Sequence, residues 1–340
     1  MLCSSKELGL GDNHEGIIEF AEDVKVGIEV KDLVDDPILH ISLTPNLGHC
    51  LSIYGIAREL AAFNKLSLTS LSSMQNVYRE TSSLLPKVKI ENSSLASLYA
   101  LRKIRGVKIG PSPAWVVKKL LAAGVTPVFN VVDIANLVMI ELGQPLHVFD
   151  ADTLAFPCME VTALKEPQEF VGLNQNSYLL PAGTLVIKNG EQLAAIAGIM
   201  GSCSTQVTEK TVDLLIEAAV FSPSLLRKTA KKLDLHTDSC YRFERGVDPG
   251  SSLAALDYAV SLIKEVAGGD VIAEGVVSKS TIIPRTITLR IERVKKLLGI
   301  SIDTQEIEQI LERLGLKVSS ISALEMQVSI QIGRASCRER

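Results

Sequence analysis

The stretch TVDLLIEAAVFSPSLLRKTAKKLDL, Thr211–Leu235, sets two periodicities side by side. Its first half, TVDLLIEAAVF, is an apolar run too short for a full helix, and it predicts a buried strand. Its second half opens on Ser222-Pro223, a helix-start pair, and continues with Leu226, Ala230 and Leu233 on one helical face. A buried strand feeds straight into an amphipathic helix here.

Helices and strands are likewise mixed elsewhere, without regular βαβ alternation, so the fold class expected is α+β. In PSPAWVVKKLLAAGV, Ser112 is placed as an N-cap with Pro113 as first helical residue, Val116, Leu120 and Ala123 line one face, and Gly124 closes the helix. A second helix follows in VDIANLVMIELGQP, capped by Asp133 and ended by Gly143. VTALKEPQEFVGLNQNSYLLPAGTLVIKNGEQLAAIAGIMG is a series of short apolar runs cut by Gly, Pro and Asn, which predicts a meander of strands. In SSLAALDYAVSLIKEVAGGD a helical stripe runs through Leu253, Leu256, Val260, Ile263 and Ala267 to a stop at Gly268. Earlier in the chain, TPNLGHCLSIYGIARELAAF ends in a helix with Ile53, Ala57, Leu60 and Ala61 as its repeating face. The Ser/Thr/Asn-rich segment after it reads as a connection with at most one strand.

Near Pro284 a new unit begins. TITLRI is an alternating strand, ERVKKLLGI a short helix closed by Gly299, and DTQEIEQILERLG a helix started by an Asp303/Glu306 capping pair, with Ile307, Ile310, Leu311 and Leu314 on its face. Two short helices and a strand suggest a small winged-helix-like module. Its last strand, ending at VSIQIG, is expected to be a truncated wing with an unpaired edge. The domain division expected is therefore 1–63, a connection over 64–95, a mixed α/β unit over 96–280 and the small module over 281–332, while 333–340 continues no pattern.

Composition narrows the function. Across 340 residues, hydrophobic content is 46%, charged content 22% and net charge −4, which suits a globular protein and excludes a general binder of phosphate backbones. No apolar run is long enough to span a bilayer, and the first residues lack the layout of a secretory signal, so no membrane partner and a cytoplasmic location are expected. The six cysteines include no C-x-x-C pair and the five histidines are scattered. No metal site is expected, and the cysteines read as reduced and mostly buried thiols, with Cys50 beside His49 by chance.

Three features could carry chemistry. Glu217 sits inside the apolar strand, where a carboxylate needs a partner: either an internal Arg or Lys pairs with it, or it accepts a hydrogen bond from a ligand. Gly198 and Gly201 in AGIMGS mark either a tight bend or a close approach of ligand to backbone. His147 in ELGQPLHVFD follows a helix stop and is either a structural hydrogen-bonder or a proton acceptor. To these is added LHTDSCYRFERGVDP, Leu235–Pro249, a polar joining stretch between two helices.

Taken together, NLVMIELGQPLHVFD, AAIAGIMG, IEAAVFSP and LHTDSCYRFERGVDP stand in an order and spacing that resembles the bacterial phenylalanyl-tRNA synthetase beta-subunit family, with TPNLGHCLSIYGIARELAA before them and TLRIERVKKLLG after them. The resemblance runs to about Gln331. It implies a longer subunit, with an OB-fold before this chain and a catalytic-like core and anticodon-binding domain after it. Residues 1–63 would be a return segment of the first structural domain and 96–280 an editing domain. It implies an alpha-subunit partner in an alpha2–beta2 tetramer, with the aminoacylation site in alpha. ATP and Mg2+ would serve the whole enzyme and no cofactor this fragment.

The same resemblance implies that this chain holds the proofreading pocket for an aminoacyl ester on the 3′ end of tRNA(Phe). Carried over by position, the pocket is Asn136, His147, Gly198, Gly201, Glu217, Thr237 and Ser239, with His147 the candidate catalytic group and Glu217 the acceptor for a tyrosine hydroxyl. There are departures from the family pattern. Ala135 stands where Thr is frequent, and Ser239 where some relatives have Ala. Leu47 and His49 stand where Arg and an acid are usual, which puts an ion pair there in doubt. Arg242, Glu244 and Arg245 read as a structural ion network. The alternatives are a structural piece with a decayed pocket, and a free-standing deacylase.

Overall fold

The computed structural model describes residues 3–4, 6–8, 14–19, 24–29, 38–68, 87–278, 285–320, 322 and 324–330, without the side chains of 285, 320 and 330. The readings placed on 69–86, 279–284 and 331–340 lie outside these residues. The chain divides into two compact units, Met1–Ser42 and Leu43–Arg340. In the first, the described part is a set of turns in which the Ser4 hydroxyl meets Glu7 and His14.

The larger unit is organised by a four-stranded antiparallel sheet in the order β11 (Asp270–Ser278), β2 (Ala96–Arg105), β10 (Asp213–Phe221), β3 (Leu146–Asp150). Successive side chains of a strand point to opposite faces. Along β10, Leu214, Ile216 and Ala218 enter one apolar cluster while Leu215, Ala219 and Phe221 enter another. The unbroken apolar run thus follows from burial on both faces. Helices α2 (Ala114–Ala122), α3 (Asn130–Leu142) and α6 (Ser252–Ala267) supply the first cluster. The second is closed by α4 (Pro223–Leu233), α5 (Asp238–Arg245) and the expected meander. The sheet it builds pairs β1 (Lys87–Ile90), which joins from the expected connection, with β4 (Cys158–Ala163), β7 (Leu185–Asn189), β8 (Gln192–Ile196) and β9 (Met200–Gly201), parallel only at β1–β4. A separate hairpin joins β5 (Gln168–Val171) and β6 (Ser177–Leu180).

The α+β class stands, and several local readings need correction. Helix α2 begins at Ala114 with Pro113 as its cap residue, because the Ser112 hydroxyl donates to Asp133 instead. Asp133 is not the cap of α3. It lies inside the first turn, fully buried, and its carboxylate reaches back to accept from the Val128 N–H at 2.8 Å. Helix α1 (Ile53–Phe63) forms where expected, but Ile53 and Leu60 are 60% and 56% exposed. Its inner face is Gly55, Ala61 and Ala62, since a Cβ at Gly55 would lie 2.1 Å from the His49 carbonyl oxygen. Leu253 likewise faces outward, whereas Leu256, Val260 and Ile263 are wholly buried. Of the five described cysteines only Cys50 and Cys240 are buried.

In the C-terminal module, β12 (Arg285–Arg290), β13 (Lys317–Ser320) and β14 (Glu325–Ile330) flank α7 (Ile291–Leu298) and α8 (Thr304–Arg313). The last strand is not an open wing edge: β14 is the middle strand, paired with β12 on one side and β13 on the other. Its buried core is small, consisting of Ile291, Ile307, Met326 and Val328. Among the described residues no helix is long and apolar enough to cross a membrane.

Candidate functional site

Strand alternation decides which polar groups meet. On β10 the residue between Ile216 and Ala218 is Glu217, so its side chain leaves the same face as Leu215 and Ala219, away from the helices. It is opposite His147 on β3 and Leu101 on β2. Tyr99, two residues from Leu101, stands on that face one step along. A cavity of about 630 Å³ opens where this face meets α3, the turn between β8 and β9, and the start of α5. All seven residues carried over by position line it: Asn136, His147, Gly198, Gly201, Glu217, Thr237 and Ser239. The rest of the wall is mainly apolar, including Ala135, Leu146, Ile187, Ile196 and Phe243.

Glu217 is 5% exposed, and its partner is neither Arg nor Lys. The Tyr99 hydroxyl donates to Glu217 Oε2 at 2.8 Å, from a side chain with no exposed surface. The nearest arginine on β2, Arg102, belongs to the other face, where its guanidinium meets Asp257 at 3.0 Å and Glu274 at 3.4 Å. Burial pushes the Glu217 carboxyl up to about 8, opposed by the Tyr99 hydrogen bond. The same burial and the adjacent carboxyl raise Tyr99 well above the usual phenol range. Glu217 therefore carries a proton over much of the neutral range. Its Oε1 has no partner among the described residues, yet it is not sealed from solvent, so it is the oxygen open to the cavity.

His147 stands half-buried, its ring edge-on to Phe149 at 4.4 Å between centroids. Burial lowers its imidazole to about 4, which leaves it neutral at pH 7. Neither ring nitrogen has a hydrogen-bond partner among the described residues. A neutral, uncommitted imidazole beside a cavity can accept a proton from water or hydrogen-bond a substrate.

The two glycines do different work. Gly201 lies against His147: a Cβ there would come 2.4 Å from Cε1 and 2.6 Å from Nε2. Gly198 has φ +67°, and a Cβ on it would meet Phe243 at 2.9 Å and Phe221 at 3.0 Å. Gly198 is thus a tight bend packed on the aromatic core, with its backbone at the cavity rim.

The polar joining stretch is itself helical. Residues 238–245 form α5, with Thr237 as N-cap accepting from the Cys240 N–H at 3.2 Å. The Thr237 hydroxyl also donates to the Ile199 carbonyl at 3.0 Å, tying α5 to the turn that carries Gly198 and Gly201. The Ser239 hydroxyl points at the Met139 sulfur, 3.6 Å away. Arg242 and Arg245 are held mostly by backbone: Arg242 donates to the Leu51 and Asp238 carbonyls, and Arg245 donates to the Tyr241 carbonyl and lies 3.3 Å over the Tyr241 ring. Carboxylates contribute at longer range, Asp238 at 3.6 Å from Arg242 and Glu244 at 3.9 Å from Arg227. The stretch is a clamp more than an ion network.

His49 Nε2 meets a different partner, Glu59 Oε1, at 3.1 Å. Cys50 lies near them, the three potential ligand atoms falling within 4.8 Å of one another. Sequence reasoning missed Tyr99. The signal was SLYALRKI, where apolar residues occupy both faces of a strand and Tyr99 is the one buried hydroxyl on the Glu217 side.

Comparison with known proteins gives two family matches. Residues 95–268 match the family described as the B3/4 domain, and residues 287–336 match the tRNA synthetase B5 domain. The chain is 40% identical over 99% of its length to the phenylalanine–tRNA ligase beta subunit of Geobacter metallireducens, and 39% identical over 93% to that of Protochlamydia amoebophila. It spans 42% and 40% of those two relatives. A crystal structure of an N-terminal fragment of the phenylalanyl-tRNA synthetase beta-subunit from Pyrococcus horikoshii aligns over 85% of this chain and 79% of that one, at 14% identity and a TM-score of 0.39, a likeness too slight to bear on the fold.

Proposed function

The chain belongs to the B3/4 domain family and resembles phenylalanine–tRNA ligase beta subunits along its length, and from that premise we propose that its cavity hydrolyses tyrosine wrongly esterified to tRNA(Phe). The observation that carries this reading is a single buried carboxyl, Glu217, with one oxygen open to a mainly apolar cavity of about 630 Å³. A hydrophobic pocket selecting phenylalanine cannot strongly exclude tyrosine, which only adds a hydroxyl, so discrimination there is about a hundredfold. A second site that demands the hydroxyl does better. Glu217 meets a phenol in either protonation state: ionised, Oε1 accepts the phenol hydrogen; protonated, it donates to the phenol oxygen. Phenylalanine satisfies neither.

Hydrolysis needs a water placed against the ester carbonyl. In this reading His147, neutral at pH 7, accepts a proton from that water or orients the ester, and its low basicity makes it a weak general base. Asn136, whose amide has no side-chain partner among the described residues, is a donor for the carbonyl oxygen. Thr237 fixes the turn opposite. Positioning and the substrate's own terminal hydroxyl then contribute much of the rate.

Residues 96–280 would be the editing unit and 281–332 an appended module. The whole enzyme would pair this subunit with an alpha subunit in an alpha2–beta2 cytoplasmic tetramer and bind the 3′ end of tRNA(Phe). ATP and Mg2+ belong to ligation. The residues here do not fit them, since the cavity wall has no Lys or Arg for a triphosphate and one lone carboxyl for a cation. The test is release of tyrosine from tyrosyl-tRNA(Phe) by the purified chain, with and without the alpha subunit. Hydrolysis in either case, much slower with phenylalanyl-tRNA(Phe), is expected. No release of tyrosine in either case identifies a decayed pocket and refutes the reading. Release only with alpha excludes a free-standing deacylase.

A further inference from the structure

Glu217 lies on a strand, and a glutamate on a strand has three rotatable bonds with which to swing its carboxyl. In this cavity that freedom is removed from one side. Tyr99 reaches Oε2 from β2, the strand hydrogen-bonded to β10, so its phenol is delivered by the sheet register and not by a loop. Its ring is wholly buried and tilted 45° against Phe221 at 6.4 Å, in the aromatic group that also holds Phe243. The hydroxyl has no other hydrogen-bond partner among the described residues, and a buried phenol needs one. Donor and acceptor therefore hold each other. Because Tyr99 takes Oε2, the oxygen left for a ligand is Oε1.

Resting on the proofreading reading of the cavity, we propose that Tyr99 is a positioning residue that fixes the Glu217 carboxyl and so determines specificity for an ester bearing a phenolic hydroxyl. Tyr99 does not touch the substrate. It acts by pinning the rotamer of Glu217 and by stabilising its ionised form, since a donated hydrogen bond lowers the carboxyl against the upward push of burial.

Tyr99→Phe removes the hydroxyl and keeps the ring, so the aromatic packing survives. For tyrosyl-tRNA(Phe) the variant is expected to lose up to about tenfold in kcat/KM, in line with one neutral hydrogen bond, carried chiefly by KM. Hydrolysis of phenylalanyl-tRNA(Phe) is expected to change less than about twofold, the expectation for a contact that the ester never used. The carboxyl stretch of Glu217, followed by infrared difference titration and assigned by its loss in Glu217→Gln, should titrate at higher pH in Tyr99→Phe. In a Glu217→Ala background, Tyr99→Phe should have no further effect on the ratio of the two esters.

The outcomes separate the two readings. If Glu217→Ala alters the preference for the tyrosyl ester and Tyr99→Phe does not, the positioning role is overturned and the proofreading role stands. Equal loss for both esters in Tyr99→Phe, with no movement of the Glu217 titration, makes Tyr99 a packing residue and also overturns it. If the unaltered chain, with alpha present, does not release tyrosine from tyrosyl-tRNA(Phe), the proofreading reading falls and takes the specificity role with it.

Discussion

Replacing Glu217 by glutamine should change how the stability of the domain depends on pH. The native carboxyl is raised from 4.5 to about 8 by burial, so between those values the folded chain holds a proton that the unfolded chain has released. Stability then falls as pH rises through that window and levels off above the folded value. The whole interval of three and a half pH units corresponds to about 5 kcal/mol, and the part between pH 6 and pH 8 to about 2 kcal/mol. Glu217→Gln keeps the shape and still accepts the Tyr99 hydrogen bond, but it cannot ionise. Urea unfolding followed by Trp115, the chain's one tryptophan and a residue of α2, reads the relevant domain. Other buried acids, Asp257 among them, are raised too, so the quantity that counts is the difference between the two proteins. Wild type should lose about 3 kcal/mol more than Glu217→Gln on going from pH 6 to pH 9. Parallel pH profiles for the two would show that Glu217 is ionised in the fold, and the picture of a neutral acid held by Tyr99 would be wrong.

Other consequences are as direct. His147 has the opposite sign: its imidazole is lowered from 6.5 to about 4, so it contributes stability above pH 6.5 that is lost as pH falls toward 4, and His147→Gln should flatten the acid limb of the same unfolding curves by at most about 3 kcal/mol. Gly198→Ala forces a Cβ into Phe243 and Phe221 at positive φ and should cost about 2–3 kcal/mol in the melting curve, whereas Gly201→Ala displaces His147 and should lower hydrolysis at least about tenfold, 1.4 kcal/mol in barrier, with little change in melting. The C-terminal module rests on four buried apolar residues, so hydrogen exchange at residues 291–330 should outpace that of the strands at 96–105 and 213–221.

What the sequence made legible and what it hid follow one physical rule. Local signals carried the pieces whose cause is local: the Ser222-Pro223 helix start, the left-handed stops at Gly143 and Gly299, and the two-faced strand around Glu217. Partners set by long-range pairing stayed hidden. Tyr99 is 118 residues from Glu217, and only the register of β2 on β10 brings them together. Asp133 is a second case: it is not a cap, and from inside the helix it accepts from Ser112, 21 residues away. Helical periodicity found α1 but not its inward face, because close backbone approach at Gly55 overrode the pull of Ile53 and Leu60. The pocket set came from resemblance to a family and not from spacing, since the seven residues span Asn136 to Ser239.

The role given to Glu217 is tested most directly by hydrolysis of tyrosyl- and phenylalanyl-tRNA(Phe), side by side, with wild type and Glu217→Ala in the presence of the alpha subunit. Loss of a hydrogen bond to this carboxyl, about 0.5–1.5 kcal/mol while it is neutral and about 1.5–3 kcal/mol once it ionises above pH 8, predicts roughly a two- to tenfold drop for the tyrosyl ester at pH 7 and a ten- to hundredfold drop at higher pH. The phenylalanyl ester should hold or rise, and the melting temperature should not fall. Equal loss for both esters together with a lowered melting temperature would contradict this, and would leave Glu217 as a structural partner of Tyr99 and nothing more.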